Sequence, residues 1–281
     1  MINGNTNIVG LIGDPVEHSF SPLMHNVAFK KLGLNYVYIP FNVKKDKLEH
    51  AISGASSLSI KGLNVTIPHK INVIKYLDKL DPIAKLIGAV NTIDFNELKG
   101  YNTDGIGAIK AIEEITPIKD KNVLVIGAGG ASRAISFYLA SNNISSLNIL
   151  NRNVNKAKSL ANDIKIISNV NYDSVNEIDK YLPDTDILID TTPVGMSPHN
   201  QDKPIVTAEQ LHEDLVVNDI VYNPIETSLL KEAKIANAKT VSGLKMLLYQ
   251  GTESFKIWTG KKAPIKTMEE ALLKNLNLKM I

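Results

Sequence analysis

The 281-residue chain contains no cysteine. That excludes disulfides, thiolate metal sites and a cysteine nucleophile, and it suits a reducing compartment, so a cytoplasmic setting is expected. Long apolar runs are also lacking. Nothing approaches the ~20 residues of a membrane span, and the opening "MINGNTNIVGLIGDP" offers neither the basic region nor the apolar stretch of a signal peptide. Charge of one sign is absent too: 31 basic against 29 acidic residues leave a formal charge of +2 without long runs, so no nucleic-acid partner is expected. The six histidines, at positions 18, 25, 50, 69, 199 and 212, form no H-x-x-x-H or H-E-x-x-H pair, so no metal is expected. What is present is 44% hydrophobic and 21% charged residues, enough for one large or two ordinary domains acting on a small ligand.

Strand-like runs ("NIVGLIG", "NYVYIPFNV", "KGLNVTI", "NTIDF") alternate with helical stretches beginning near Ser21, Lys44 and Pro68 over the first hundred residues. This alternation predicts a largely parallel α/β sheet. From Lys121 a cleaner series follows: "KNVLVIGAGGASRAISFYLA", then "SLNILNR", "DILIDTT", "LVVNDIVYN" and "AKTVS". It predicts a doubly wound nucleotide-binding domain. Two helices are expected at roughly 243–259 and 264–277, returning to the first domain. The expected division is 1–104 with 243–281, and 105–242, with a hinge near Asp104.

Within "VLVIGAGGASRA", Gly127, Gly129 and Gly130 lie between an apolar strand and a helix, where backbone amides can approach a pyrophosphate. The spacing is G-x-G-G, with Ser132 in the place of a third glycine. The following strand ends in Asn151 and Arg152 instead of the acid that would hold a ribose 2′-hydroxyl. A guanidinium there favours a 2′-phosphate, hence NADP, and Lys156 one turn later adds charge.

In "KGLNVTIPHK" the apolar Ile71, Ile74 and Leu77 that follow predict a helix with Pro68 in its first turn and Lys70 at its N-terminus. A cation there opposes the helix dipole by roughly 0.3–1 kcal/mol, so the lysine calls for another reason. Polar side chains gather in three further segments, "HSFSPLMHN", "GAVNT" and "YNTDG". Ser21 before Pro22 reads as a helix N-cap; Ser19 has no such structural duty. Two hydroxyls at a helix start suit a carboxylate. Thr66, Lys70, Asn91 and Asp104 sit at strand ends or at the domain junction, where an open α/β sheet borders its ligand.

The ordered set "SFSPLMHN", "NVTIPHK", "GAVNT", "YNTDGIG", "GAGGASRA", "NR", "TTPVGM", "DIVYNP" and "GLKMLLYQG", from residue 19 to residue 251, resembles the shikimate/quinate dehydrogenase family. The resemblance implies a two-domain α/β enzyme, a substrate domain plus a Rossmann-type NADP domain. It would reduce 3-dehydroshikimate reversibly to shikimate with NADPH, toward chorismate and the aromatic amino acids, as a monomer or homodimer. It implies Lys70 and Asp104 as the catalytic pair. Ser19 and Ser21 would bind the substrate carboxylate, with Tyr222 nearby, and Thr66, Asn91 and Gln250 would contact the ring hydroxyls. The cofactor would be held by Gly127, Ala128, Gly129, Gly130, Ala131, Asn151, Arg152, Lys156, Thr191, Thr192, Val194, Met196, Ile220, Gly243 and Met246. Two departures stand out. Asp190 precedes "TTPVGM" where the family has a neutral residue such as Asn, and Asn153 follows "NR" where Thr is common. The alternatives are an NAD-using quinate/shikimate dehydrogenase and a non-catalytic NADPH sensor on the same scaffold.

Overall fold

Residues 7–13, uncharged and rich in Ile, Val and Leu, pair on both sides and form the first strand, β1 (Asn7–Gly13). The computed structural model describes residues 2–197 and 203–279 and falls into two units, Met1–Thr103 with Gln250–Ile281, and Asp104–Tyr249. His199 lies outside the described residues.

The first unit continues with α1 (Ser21–Lys31), β2 (Tyr36–Asn42), α2 (Leu48–Ser57), β3 (Gly62–Val65), β4 (Lys79–Leu80), α3 (Pro82–Ile87), β5 (Thr92–Asp94) and β6 (Lys99–Tyr101). Its sheet has the order β2-β1-β3-β5-β6-β4. The sheet is mixed, which corrects the largely parallel expectation. β1 pairs in parallel with β2 and β3, but β5 is antiparallel to both β3 and β6. Residues 95–98 are too few for a crossover, so β5 and β6 can pair only as a hairpin.

Pro68 also departs from the expected helix start. It lies in a turn, and the helix after it is a 3-10 stretch, Asn72–Tyr76, that begins two residues beyond Lys70. Ile71, Ile74 and Leu77 recur every third residue, a spacing that fits three residues per turn as well as one α-helical face. The dipole cost assigned to Lys70 therefore falls away.

Ile12, Leu63, Val65 and Ile93 pack with Leu48, Ile52 and Ala55 of α2 on one face of this sheet. The in-register partners Asn64 and Thr92 point to the other face. There Trp258 approaches so closely that a Cβ on Gly62 would lie 2.0 Å from its Nε1, and that nitrogen donates to Ile93 O at 3.0 Å. Only glycine at position 62 leaves room for the indole.

The second unit contains α4 (Asp104–Glu113), β7 (Asn122–Ile126), α5 (Gly130–Ala140), β8 (Ser146–Asn151), α6 (Val154–Ile164), β9 (Val170–Ser174), β10 (Ile187–Asp190), β11 (Val216–Asp219), α7 (Ser228–Ile235) and β12 (Lys239–Ser242). All six strands are parallel, in the order β12-β11-β10-β7-β8-β9. Strand order reverses between β7 and β10, the switch point of a doubly wound sheet. Leu124, Leu188 and Val217 line one face under Leu229 and Leu230 of α7. α8 (Gly243–Thr259) starts in this unit and ends in the first, where α9 (Ile265–Lys279) packs on α1. The expected return of the C-terminal helices is thus observed. Among the described residues no helix is long and apolar enough to cross a membrane.

Candidate active site

In the first unit a buried polar network spans the carboxyl end of β3 and the start of β5. Asn64 Nδ2 donates to Asn91 O at 3.2 Å, to Thr92 Oγ1 at 3.0 Å and to Ser254 Oγ at 3.0 Å, while Tyr38 donates its hydroxyl to Asn64 Oδ1 at 2.8 Å. Asn91 Nδ2 donates to Thr103 Oγ1 at 2.9 Å, and Asn91 Oδ1 accepts from the Thr103 amide at 2.8 Å. Buried polar atoms keep their place only when paired, so these bonds fix the backbone at Asn91 and Thr103. The Val90 amide also donates to Lys70 O at 2.8 Å, which ties the lysine's backbone to the same network. Asp104 follows Thr103 directly and opens α4. Thr66 leaves β3, its amide bonded to Ile12 O at 2.9 Å and its methyl group where a side chain on Gly13 would stand.

The two serines exchange the duties expected of them. The N-cap position of α1 is Phe20, and Ser19 Oγ accepts from the Ser21 amide at 3.2 Å. Ser21, the first helical residue, is buried. Gln250 stands in α8, its carbonyl accepting from Ser254 Oγ at 3.1 Å. Asn64, Thr92, Thr103, Ser254 and Tyr38 were not singled out from sequence; the polar Asn64 inside an otherwise apolar buried strand was the available signal.

In the second unit a cleft of about 410 Å³ opens at the switch point. It brings together Gly127, Ala128, Gly129, Asn151, Arg152, Thr191, Thr192 and Val194. Gly127 has φ +109, and a Cβ there would lie 2.3 Å from Thr191 Oγ1, which itself donates to Ile126 O at 2.6 Å. Gly129 and Gly130 face open space, so the turn presents bare backbone. Ser132, fully buried, donates to Gly127 O at 2.7 Å and closes the turn from within. Gly130 and Ala131 form the start of α5, and Lys156 stands exposed in the first turn of α6. Asn153 is the N-cap of α6, Oδ1 accepting from the Asn155 amide at 3.1 Å, while Arg152 stays exposed.

Gly130, Ala131, Lys156, Met196, Ile220, Gly243 and Met246 are not part of the cleft lining. Met196 is 41% exposed, and the Ile220 amide donates to Asp190 O at 3.1 Å. Gly243 approaches the Ile220 carbonyl, and Met246 follows it one turn along α8. Tyr222 is half-buried after β11, and burial raises its phenol above the usual range. The lining adds Ile126, Val175, Asn176, Pro193 and Ile205. Val175 and Asn176 were missed because β9, which leads into them, has only a weak apolar pattern, "VNYDS".

A doubly wound parallel sheet with a bare glycine turn and a cleft at its switch point defines a dinucleotide-binding α/β protein. Residues 11–93 match the shikimate dehydrogenase substrate binding domain, residues 110–241 the shikimate / quinate 5-dehydrogenase model, and residues 243–273 the shikimate 5′-dehydrogenase C-terminal domain. The chain is 70% identical to shikimate dehydrogenase (NADP(+)) of Methanobrevibacter smithii, over 99% of this chain and 100% of the relative. A crystal structure of a shikimate dehydrogenase in complex with NADP+ matches with TM-score 0.92 and 53% identity, covering 98% of both chains. The Listeria monocytogenes shikimate 5-dehydrogenase, solved with shikimate and NAD, matches with TM-score 0.92 and 36% identity over 96% of this chain and 98% of that one. The chain belongs to the shikimate dehydrogenase family.

Proposed function

We propose that the chain catalyses the reversible, NADP-dependent reduction of 3-dehydroshikimate to shikimate, on the route to chorismate and the aromatic amino acids. The observation that carries this reading is the full-length likeness to NADP-dependent shikimate dehydrogenases, joined to an arginine instead of an acid after β8. The second unit is read as the NADP domain and the first as the substrate domain. The left-handed Gly127, the open backbone at Gly129 and Gly130, and the exposed Arg152 fit NADP(H): amides for the pyrophosphate and a guanidinium for the 2′-phosphate. When bound, the nicotinamide supplies the hydride to the ketone or accepts it back from the alcohol.

The protein's own part is to bind the acid substrate and manage the proton. Ser19 and Ser21 at the start of α1 hold the substrate carboxylate, with Tyr222 as a further hydroxyl donor. Thr66, Asn91 and Gln250 orient the ring hydroxyls. Lys70 carries an ammonium to the carbonyl oxygen, stabilises the negative charge that grows there and supplies the proton; Asp104 is its partner and takes part in the return. General acid assistance of this kind contributes about 10² to 10⁴ in rate, roughly 3–5.5 kcal/mol. The substrate is a small molecule, the working unit a monomer or homodimer, and a cysteine-free chain suits the cytoplasm. Initial rates followed by nicotinamide absorbance, with shikimate or quinate and NADP+ or NAD+, test the reading. Turnover of shikimate with NADP+ is expected to lead. A preference for quinate with NAD+, or no turnover by a protein that binds NADP+, overturns it.

A further inference from the structure

Two acids stand side by side at the carboxyl edge of the parallel sheet. Asp190 ends β10 and Asp219 ends β11; they are in-register neighbours, so both side chains leave the sheet on the face covered by α7. They are 1% and 0% exposed. Asp190 Oδ1 accepts from the Thr192 amide at 2.8 Å. Asp219 Oδ1 accepts from the Val221 amide at 2.9 Å, and its Oδ2 from the Thr227 hydroxyl, the N-cap of α7, at 2.6 Å. The pair therefore fastens the first residues of two loops to the strand ends, and one of those loops supplies Thr191, Thr192 and Val194 to the cleft.

Among the described residues, their surroundings supply hydrogen bonds without a cation. At the same level β7 offers Ile126 and β12 offers Ser242. On α7, Glu232 accepts from the Ala208 amide, Lys234 pairs with Glu226, and Lys231 is exposed. Among the described residues, the charged group acting on Asp190 is Asp219 alone. Burial, and then that neighbouring charge, push Asp190 up to about 7; burial pushes Asp219 up to about 6 against the bonds from Thr227 and Val221. The donors and the start of α7 accommodate one negative charge. A second, on a strand about 4.8 Å away, finds no counter-charge among the described residues.

We propose that this acid pair is a positioning element for NADP(H): with one proton on the pair, Asp190 and Asp219 keep the Thr191–Met196 segment in the shape that receives the cofactor, and loss of that proton weakens cofactor binding. Two buried carboxylates repel each other beneath the loop and also repel a polyanionic ligand in the cleft above it. By linkage, cofactor binding takes up a proton. This inference rests on the NADP(H) reading of the cleft.

Calorimetric titration of NADP+ into wild-type protein and Asp190→Asn between pH 7 and 9 tests it, in buffers of differing ionisation enthalpy. A 2′-phosphate is already ionised across this window. The wild-type Kd is expected to rise about tenfold with pH, the equivalent of one lost hydrogen bond, with proton uptake on binding. Asp190→Asn keeps an acceptor for the Thr192 amide but cannot ionise. It should bind NADP+ with a flat pH profile, without proton uptake, and more tightly than wild type at pH 9. Asp219→Asn gives the same test should the first variant fail to fold. A wild-type profile that is flat, or a slope that survives both substitutions, overturns the inference. Failure to oxidise shikimate while NADP+ still binds would instead count against the function proposed above and leave this one standing.

Discussion

His25 carries a pH dependence of folding that can be worked out from its surroundings. The ring is wholly buried in α1, stacked in parallel on Tyr38 at 4.6 Å between centroids, with Trp258 at 5.3 Å and Phe29 and Phe255 slightly farther. Among the described residues neither ring nitrogen has a hydrogen-bond partner. Burial lowers the imidazole from 6.5 to about 3, so the folded protein keeps it neutral while the unfolded chain protonates it below about pH 6.5. In that window the unfolded state holds the extra proton, so stability present above pH 6.5 is lost as pH falls toward 3. Each unit is worth about 1.36 kcal/mol, so acidification from pH 8 to pH 5, of which about 1.5 units lie below the unfolded value, costs about 2 kcal/mol through this residue alone. His25→Phe removes the titration and leaves an aromatic ring in the stack. Trp258 is the chain's single tryptophan, so urea unfolding followed by its fluorescence reports on the first unit. Wild type should lose about 2 kcal/mol more than His25→Phe between pH 8 and pH 5. Equal losses would refute the reasoning.

Two substitutions address the cofactor cleft. Gly127→Ala puts a Cβ against Thr191 Oγ1 in a left-handed conformation, so it should cost about 1–3 kcal/mol in urea unfolding and weaken NADP+ binding in calorimetry; an unchanged Kd would refute the assignment. Arg152→Gln should raise the KM for NADP+ about 10- to 100-fold, the loss of a charge-assisted hydrogen bond, while leaving the KM for NAD+ where it was. Equal changes for both cofactors would show that the guanidinium does not read the 2′-phosphate.

The second unit was legible because three of its central strands are buried on both faces and carry consecutive apolar residues, "NVLVI", "ILID" and "VVND". β9, at the sheet edge, lacks these and went unseen. In the first unit, β4 and β6 have two and three residues, too short to show any period. The stretch after Pro68 has apolar residues at a spacing shared by two helix types, and sequence cannot separate them. Gly127, Arg152 and the strand-end polar residues were visible as motifs, because backbone freedom and charge are properties of single residues. The network joining Asn64 to Ser254 was not, since its partners lie 190 positions apart and meet only once α8 has packed on the sheet. In the sequence Asp190 stands out only as a departure from the family pattern. Its meaning depends on Asp219, a neighbour across strands that the linear order does not reveal.

The central claim is that the Lys70 ammonium serves the oxygen being reduced, and steady-state kinetics of Lys70→Ala with shikimate and NADP+ test it most directly. Lys70→Ala should show a kcat lower by about 10² to 10⁴, with an unchanged circular dichroism spectrum and an unchanged NADP+ Kd. A folded Lys70→Ala protein turning over at close to the wild-type rate would contradict it.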